Sequence, residues 1–218
     1  MKLYGFYQSS NVYRARVALN LKGVAYEDVI VNVLKGGTKT AEYQALNPQA
    51  KIPALQDGDT IITQSLAIIE YLDEKFPDPP LLPGDPVGRA RVRSLSLGVV
   101  SDTFPLLPSR IRNELANELQ QDEASVRRWC HDWVCRGLET VEDSLLGNPA
   151  TGKFCHGDTL GMADICLASI IRVSRRYKCD LVPYPTVTAI YDRCAEMPEF
   201  QKALAQNQVD APPDFNGW

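Results

Sequence analysis

The chain has 218 residues, 44% of them hydrophobic and 23% charged, the balance of an ordinary globule and not of a disordered or fibrous chain. A net charge of −4 gives no electrostatic reason to expect nucleic acid or an anionic membrane surface as partner. No basic and apolar leader opens the chain, and no apolar run approaches the ~18 residues of a membrane span, so a cytosolic setting is expected.

In chain order, Leu3 to Tyr7 reads as a short strand. SNVYRARVALNLKG reads as a helix closed by Gly23, a residue suited to a C-terminal cap. Ser9 or Ser10 would cap its first turn. YEDVIVNV is β-branched and alternating, a second strand. A loop and a short helix follow, stopped by Asn47 and Pro48. KIPALQDGDTIITQS reads as a hairpin turning at Asp-Gly-Asp, and SLAIIEYLDEKF carries a helical stripe through Leu66, Ile69, Leu72 and Phe76. Strand, helix, strand, helix, strand, strand, helix is a thioredoxin-like order, a βαβ unit joined to a ββα unit.

Residues 77–86, PDPPLLPGDP, hold five prolines and form the best boundary in the chain. No convincing strand follows. Helical spacing runs from Arg89 to about Arg112, from Glu123 to Leu146, from Met162 to Tyr177, from Tyr184 to Glu196 and from Glu199 to Ala205. The expectation is an α/β domain over 1–79 and an all-helical domain over 87–210, with a poorly ordered tail, DAPPDFNGW. All six cysteines lie in the second half. With no leader read at the start, a disulfide framework is not expected, and neither Cys130-His131 nor Cys155-His156 has the spacing of a zinc cage. No metal is expected.

Three short stretches could carry chemistry. Ser9 and Ser10 stand at a helix N-terminus, where the macrodipole and free N–H groups favour an anion, including a thiolate. Plain helix capping is the competing reading. Lys51-Ile52-Pro53 puts proline at the start of a strand, where a cis bond would turn the N–H and C=O of Ile52 outward toward a peptide-like ligand. An ordinary trans proline on an edge strand would do as well for this tripeptide alone. Gln64-Ser65 repeats the first arrangement, leaving a hydroxyl and helix N–H groups open to a carboxylate.

With these residues in view, the chain resembles the cytosolic glutathione transferases, and most closely the zeta class, which includes the maleylacetoacetate and maleylpyruvate isomerases. YQSSNVYRARVALNLKGVAYE is similar to that class's Ser-Ser-Cys-x-aromatic-Arg-x-Arg signature. ALNPQAKIPAL, TQSLAIIEYL, LLPGDP, CHGDTLGMADICL and RRYKCDLVPYPTV resemble zeta segments in the same order. The resemblance implies a glutathione site in the first domain and a helical domain that completes the substrate pocket. Ser9 would bond the glutathione sulfur with Ser10 beside it, Ile52 before a cis Pro53 would pair with the cysteinyl backbone, and Gln64 and Ser65 would hold the γ-glutamyl end. It also implies a homodimer. Arg176 matches the arginine that holds a substrate carboxylate, with a solvated helix end as the other reading of Arg175 and Arg176.

Departures bear on the substrate. Gln8 stands where the family often has arginine, Asn11 where the isomerase motif has cysteine, and Tyr13 where tryptophan is usual. Asn11 can donate to an anion but cannot act as a nucleophile. Phe104, Leu107 and Pro108 make an apolar wall where relatives are polar, leaving Ser109 and Arg110 as polar candidates. Gly161 replaces the hydroxyl residue of the family's capping box, and Asp164 can still reach back to its N–H; this segment is expected to serve folding. The resulting expectation is glutathione-dependent cis–trans isomerisation of a small unsaturated acid. Conjugation of a less charged electrophile is the alternative, and a non-catalytic ligand-binding or interaction role a second one.

Overall fold

The computed structural model describes residues 1–217. They divide into two compact units, Met1–Leu81 with Ala195–Gly217, and Leu82–Cys194. The boundary near residue 81 falls in the proline-rich linker. The segment from Ala195 onward clusters with the first unit.

The first unit is built on a four-stranded sheet in the order β2-β1-β3-β4, with β1 Lys2–Gly5, β2 Glu27–Ile30, β3 Ala54–Asp57 and β4 Thr60–Thr63. β1 pairs parallel with β2 and antiparallel with β3, so the sheet joins a crossover half to a hairpin half. The crossover is α1, Ser10–Leu21. It buries Val12, Ala15, Val17, Ala18 and Leu19 together with two arginines, Arg14 and Arg16. A buried guanidinium requires partners. Arg16 has one in Asp28 of β2, at 2.8 Å from Nη2 to Oδ1, which fixes the helix to the edge strand. After α2, Ala41–Leu46, the hairpin turns at Gly58, with Asp57 paired to Thr60. Gly58 has φ +59°, a conformation glycine adopts without a Cβ penalty. α3, Ser65–Lys75, returns across the sheet on Ile68, Ile69 and Leu72.

The linker contains no regular element, yet it is held. Lys22 Nζ donates to Asp73 Oδ1 at 2.7 Å and to the Pro79 carbonyl at 2.5 Å, and Asp73 also accepts from the Leu81 N–H at 2.7 Å. The tail, expected to be loose, is ordered through Gly217: Asp210 accepts from the Tyr7 N–H at 3.0 Å, and Phe215 packs edge-on against the Tyr7 ring at 5.1 Å. A carboxylate and an aromatic ring outweigh what the two prolines and glycine of this segment suggested. Trp218 lies outside the described residues.

The second unit is helical. The expected helix from Arg89 to Arg112 is interrupted: α4 spans Pro86–Leu97, a wide π-type turn follows over Gly98–Thr103, then a 3-10 turn at Phe104–Leu106 and a short α5 at Ser109–Asn113. Pro105 and Pro108 remove the N–H groups a continuous helix would need. α6, Glu123–Leu145, buries Cys130, Val134, Leu138, Val141 and Leu145 against α7, Met162–Tyr177, which is buried nearly all round. Gly137 lets α6 approach closely, since a Cβ there would meet Thr103 Oγ1 at 2.4 Å. Glu142 caps α8, Pro185–Ala195, by accepting from the N–H groups of Thr186 and Val187 at 3.0 and 2.8 Å. Asp164 accepts from the Gly161 N–H at 2.8 Å, as expected, and also from the buried Cys155 N–H at 2.7 Å. α9, Pro198–Lys202, belongs to the first unit and meets α1 there, where Asn20 donates to the Glu199 carbonyl at 2.9 Å. Among the described residues, no helix is long and apolar enough to cross a membrane.

Candidate functional site

Ser9 is the N-cap of α1. Its backbone is extended, and its Oγ accepts from the Val12 N–H at 3.3 Å. That leaves the hydroxyl proton for another acceptor. Ser10 and Asn11 occupy the first turn, where backbone N–H groups lack intrahelical acceptors. Gln8 is half-buried just before them and Asn11 is exposed. Tyr13, expected among substrate-contacting groups, is 2% exposed on α1.

One side chain joins this helix end to the second one. Arg14 Nε donates to Ser65 Oγ at 3.1 Å, and Arg14 Nη2 donates to Asn11 Oδ1. The Asn11 amide is thereby set with its oxygen toward Arg14 and its two N–H donors away from it. Ser65 is the first residue of α3 and is buried. Its hydroxyl is not wholly open, as the sequence suggested, because Arg14 occupies one acceptor position. It keeps its proton to donate.

Gln64 precedes Ser65 with φ 70° and ψ 125°, a conformation a non-glycine residue rarely holds and one that costs on the order of 1–3 kcal/mol. Its side chain donates to Gln49 Oε1 at 2.6 Å. Gln49 belongs to the loop that delivers Ile52. In that loop the Lys51 carbonyl accepts from Tyr43 Oη and Asn47 Nδ2, both at 2.7 Å. The Ile52–Pro53 bond is cis, in the form the resemblance implied, and Ile52 sits before Ala54, where the ladder to β1 and β4 begins. Hydrogen bonds and the chain itself therefore link the start of α1 to the other two stretches, through Asn11, Arg14, Ser65, Gln64, Gln49, Asn47 and the Lys51–Pro53 turn.

In the helical unit, Phe104 and Pro108 are half-buried, while Ser109 and Arg110 are exposed on α5. Leu107 is buried and offers little wall to a ligand. Arg110 turns outward and only reaches the Pro105 carbonyl at 3.5 Å. Arg176 ends α7 with its guanidinium 5.7 Å from the Tyr177 ring centre. Burial, followed by the like charges of Arg112 and Arg127, pulls its pKa below the ordinary arginine value, against the opposing influence of Tyr177 and Cys130. Arg112 donates to Ser109 Oγ at 3.1 Å, and its buried Nε has no partner among the described residues. Two cations that act on one another in this way suit an acid.

Sequence reasoning missed Arg14 as a site residue, together with Gln49 and Arg112. Arg14 lay within the signature stretch, and an arginine on the apolar face of a helix is itself the signal, since it must find partners inside. Arg112 sits one helical step from the polar candidates proposed. Nothing in the sequence pointed to Gln49.

Residues 3–80 match the glutathione S-transferase N-terminal domain family and residues 134–198 the C-terminal domain family. A maleylpyruvate isomerase of Ralstonia sp is 40% identical over 97% of this chain and 100% of that protein. Mouse maleylacetoacetate isomerase is 39% identical over 98% and 96% of the two chains. Among solved structures, a zeta-class maleylpyruvate isomerase superimposes with a TM-score of 0.94 at 40% identity, covering 97% of this chain and 100% of that one. The maleylacetoacetate isomerase of Methylobacterium extorquens AM1, solved with malonate and glutathione bound, also gives 0.94, at 38% identity and the same coverage. The chain belongs to the glutathione transferase family, among the zeta-class proteins that include the maleylacetoacetate and maleylpyruvate isomerases.

Proposed function

We propose that the protein is a glutathione-dependent cis–trans isomerase of a maleylacetoacetate- or maleylpyruvate-type acid. The observation that carries the choice of substrate is that Arg176, half-buried near the end of α7, feels the charge of Arg112, two cations of the helical unit suited to a carboxylate.

The first unit fits glutathione by the chemistry of its donors. Ser9 has an O–H to give at the positive end of α1, beside Ser10 and the Asn11 amide. Such a place lowers the pKa of a thiol by stabilising its anion. Ser65, already accepting from Arg14, has its proton to give to a carboxylate, at the N-terminus of α3. Gln64 and Ile52 are held in position by the Gln49 bond and the Lys51 turn. When bound, glutathione supplies the thiolate that adds to the cis double bond and leaves after rotation, so it is not consumed. The chain's own residues hold the sulfur anionic and grip the acid; none needs to exchange a proton with the double bond.

The apolar-electrophile alternative rested on Phe104, Leu107 and Pro108. Burial of Leu107 weakens it, and Arg112 adds a cation it does not need. All six cysteines are free thiols, which suits a reducing compartment such as the cytosol. A homodimer is the expected assembly, to be checked by light scattering.

The test is to replace Arg112 and Arg176 singly by alanine. Loss of a charged hydrogen bond worth about 1.5–3 kcal/mol should raise KM for the dicarboxylate roughly 10- to 150-fold and leave the glutathione Kd unchanged. An unchanged KM in both variants rules out this placement of the acid.

A further inference from the structure

A second group of chemically capable side chains lies in the helical unit. His131 and Cys135 are four residues apart on α6, hence on one face of the helix. Cys179 comes to them from the turn that ends α7. There Lys178 adopts a left-handed conformation at φ 56°, and the Cys179 N–H donates to the Ser174 carbonyl at 3.0 Å, so its backbone is fixed. A ring nitrogen of His131 and the sulfurs of Cys135 and Cys179 all lie within 4.8 Å of one another.

We infer that His131, Cys135 and Cys179 form a binding site for a thiophilic divalent cation of the zinc type. Cys135 Sγ is 3.7 Å from His131 Nε2 and 3.9 Å from Nδ1. Metal–sulfur and metal–nitrogen bonds of about 2.3 and 2.0 Å at a tetrahedral angle place the two donors roughly 3.5 Å apart, close to the separation found, so a turn of the imidazole on its own bond brings Nε2 to a shared ion. The Nδ1 of His131 lies 3.1 Å from Asp132 Oδ1. A proton on Nδ1 shared with that carboxylate leaves the Nε2 lone pair for the ion, the arrangement that orients a metal-binding imidazole. One imidazole and two sulfurs favour zinc over magnesium or calcium, which prefer oxygen.

The chemistry balances without a further reactant. Each thiol loses its proton to solvent as its sulfur takes the cation, so two protons leave for one divalent ion and the site becomes neutral. Cys179, whose thiol now donates to the His131 carbonyl at 3.8 Å, exchanges that weak bond for the metal bond. The fourth position is left to solvent. The ion would clip the end of α7 to α6, a role separate from glutathione chemistry. The expectation of no metal considered only neighbouring Cys-His pairs. It overlooked the i, i+4 pair on one helix and the cysteine brought to it from another.

The experiment uses the full-length reduced protein, with zinc ions and then cobalt ions as probes. The remaining four cysteines are buried, so alkylation reads Cys135 and Cys179 selectively. One zinc ion per chain should bind, protect both thiols from alkylation, and raise Tm by about 5–10 °C at a hundredfold excess over Kd. Cobalt should give the thiolate charge-transfer absorption of a tetrahedral site. Cys179→Ser and His131→Ala, both at partly exposed positions, should each weaken zinc at least tenfold. The inference is overturned if wild-type protein binds no zinc at micromolar concentration. It is equally overturned if binding survives in the Cys135→Ser/Cys179→Ser protein, or if the two thiols join in a disulfide that zinc does not prevent.

Discussion

Arg14 and Ser65 are 51 positions apart, yet Arg14 Nε donates to Ser65 Oγ at 3.1 Å inside the first unit. The same guanidinium holds the Asn11 amide. Two helix N-termini, each suited to an anion, are thus set relative to one another by a single buried group. Arg14→Lys removes the planar fork, and an ammonium reaches one of the two acceptors. The loss of one charged bond should cost about 2 kcal/mol, a fall of about 4–8 °C in Tm by calorimetry. Glutathione affinity should fall with it, because Asn11 and Ser65 lose their common support.

Ser9→Ala separates capping from thiolate stabilisation. Loss of the cap should cost about 1 kcal/mol of stability. Loss of the O–H donor should raise the thiol pKa of bound glutathione by about 1–2 units, seen by ultraviolet titration of the thiolate, with a smaller effect on Kd. Ser9→Thr, which keeps the hydroxyl, should restore both. An unchanged thiol pKa in Ser9→Ala would move the sulfur contact to Ser10.

Asp164 is a folding residue by its contacts, both oxygens taking backbone N–H groups. Asp164→Ala strands the N–H of Cys155 in the core and that of Gly161 at the helix start. At about 1–3 kcal/mol for each, the protein should lose about 2–6 kcal/mol. Denaturant titration should show the shift, while glutathione binding at low temperature should be retained.

Tyr26 gives a pH dependence of known sign. Burial, then the charge of Asp28, raise its pKa from 10.0 to about 12, against the opposing Arg16. In the unfolded chain the phenol ionises near 10. Between the two values the folded protein binds more protons, so stability falls as pH rises from about 10 to about 12. Solvent screening of this part-exposed group keeps the effect modest. Tyr26→Phe should lose stability less steeply than wild type across that window, and equal slopes would contradict the assignment.

The fold was readable because its signals are local. Alternation in YEDVIVNV, the Asp-Gly-Asp turn and the serine before an amphipathic run each specify an element without distant help. The site was readable in pieces: Ser9, Ile52 and Gln64 announce themselves by helix starts and a proline. What joins them was not, because Arg14 to Ser65 and Gln64 to Gln49 are contacts made only once the sheet has formed. The break after Leu97 was missed for the opposite reason. The apolar spacing runs through it, and only Pro105 and Pro108 hinted that a regular helix could not. The order of the tail likewise depends on Tyr7, some two hundred residues away.

The measurement that bears most directly on the proposed activity is the isomerisation of maleylacetoacetate and maleylpyruvate, followed by loss of ultraviolet absorbance with and without glutathione. The expected result is turnover that requires glutathione, is catalytic in it, and is lost when S-methylglutathione takes its place. Tight glutathione binding with no turnover of either acid would contradict the account and return the choice to conjugation of an apolar electrophile.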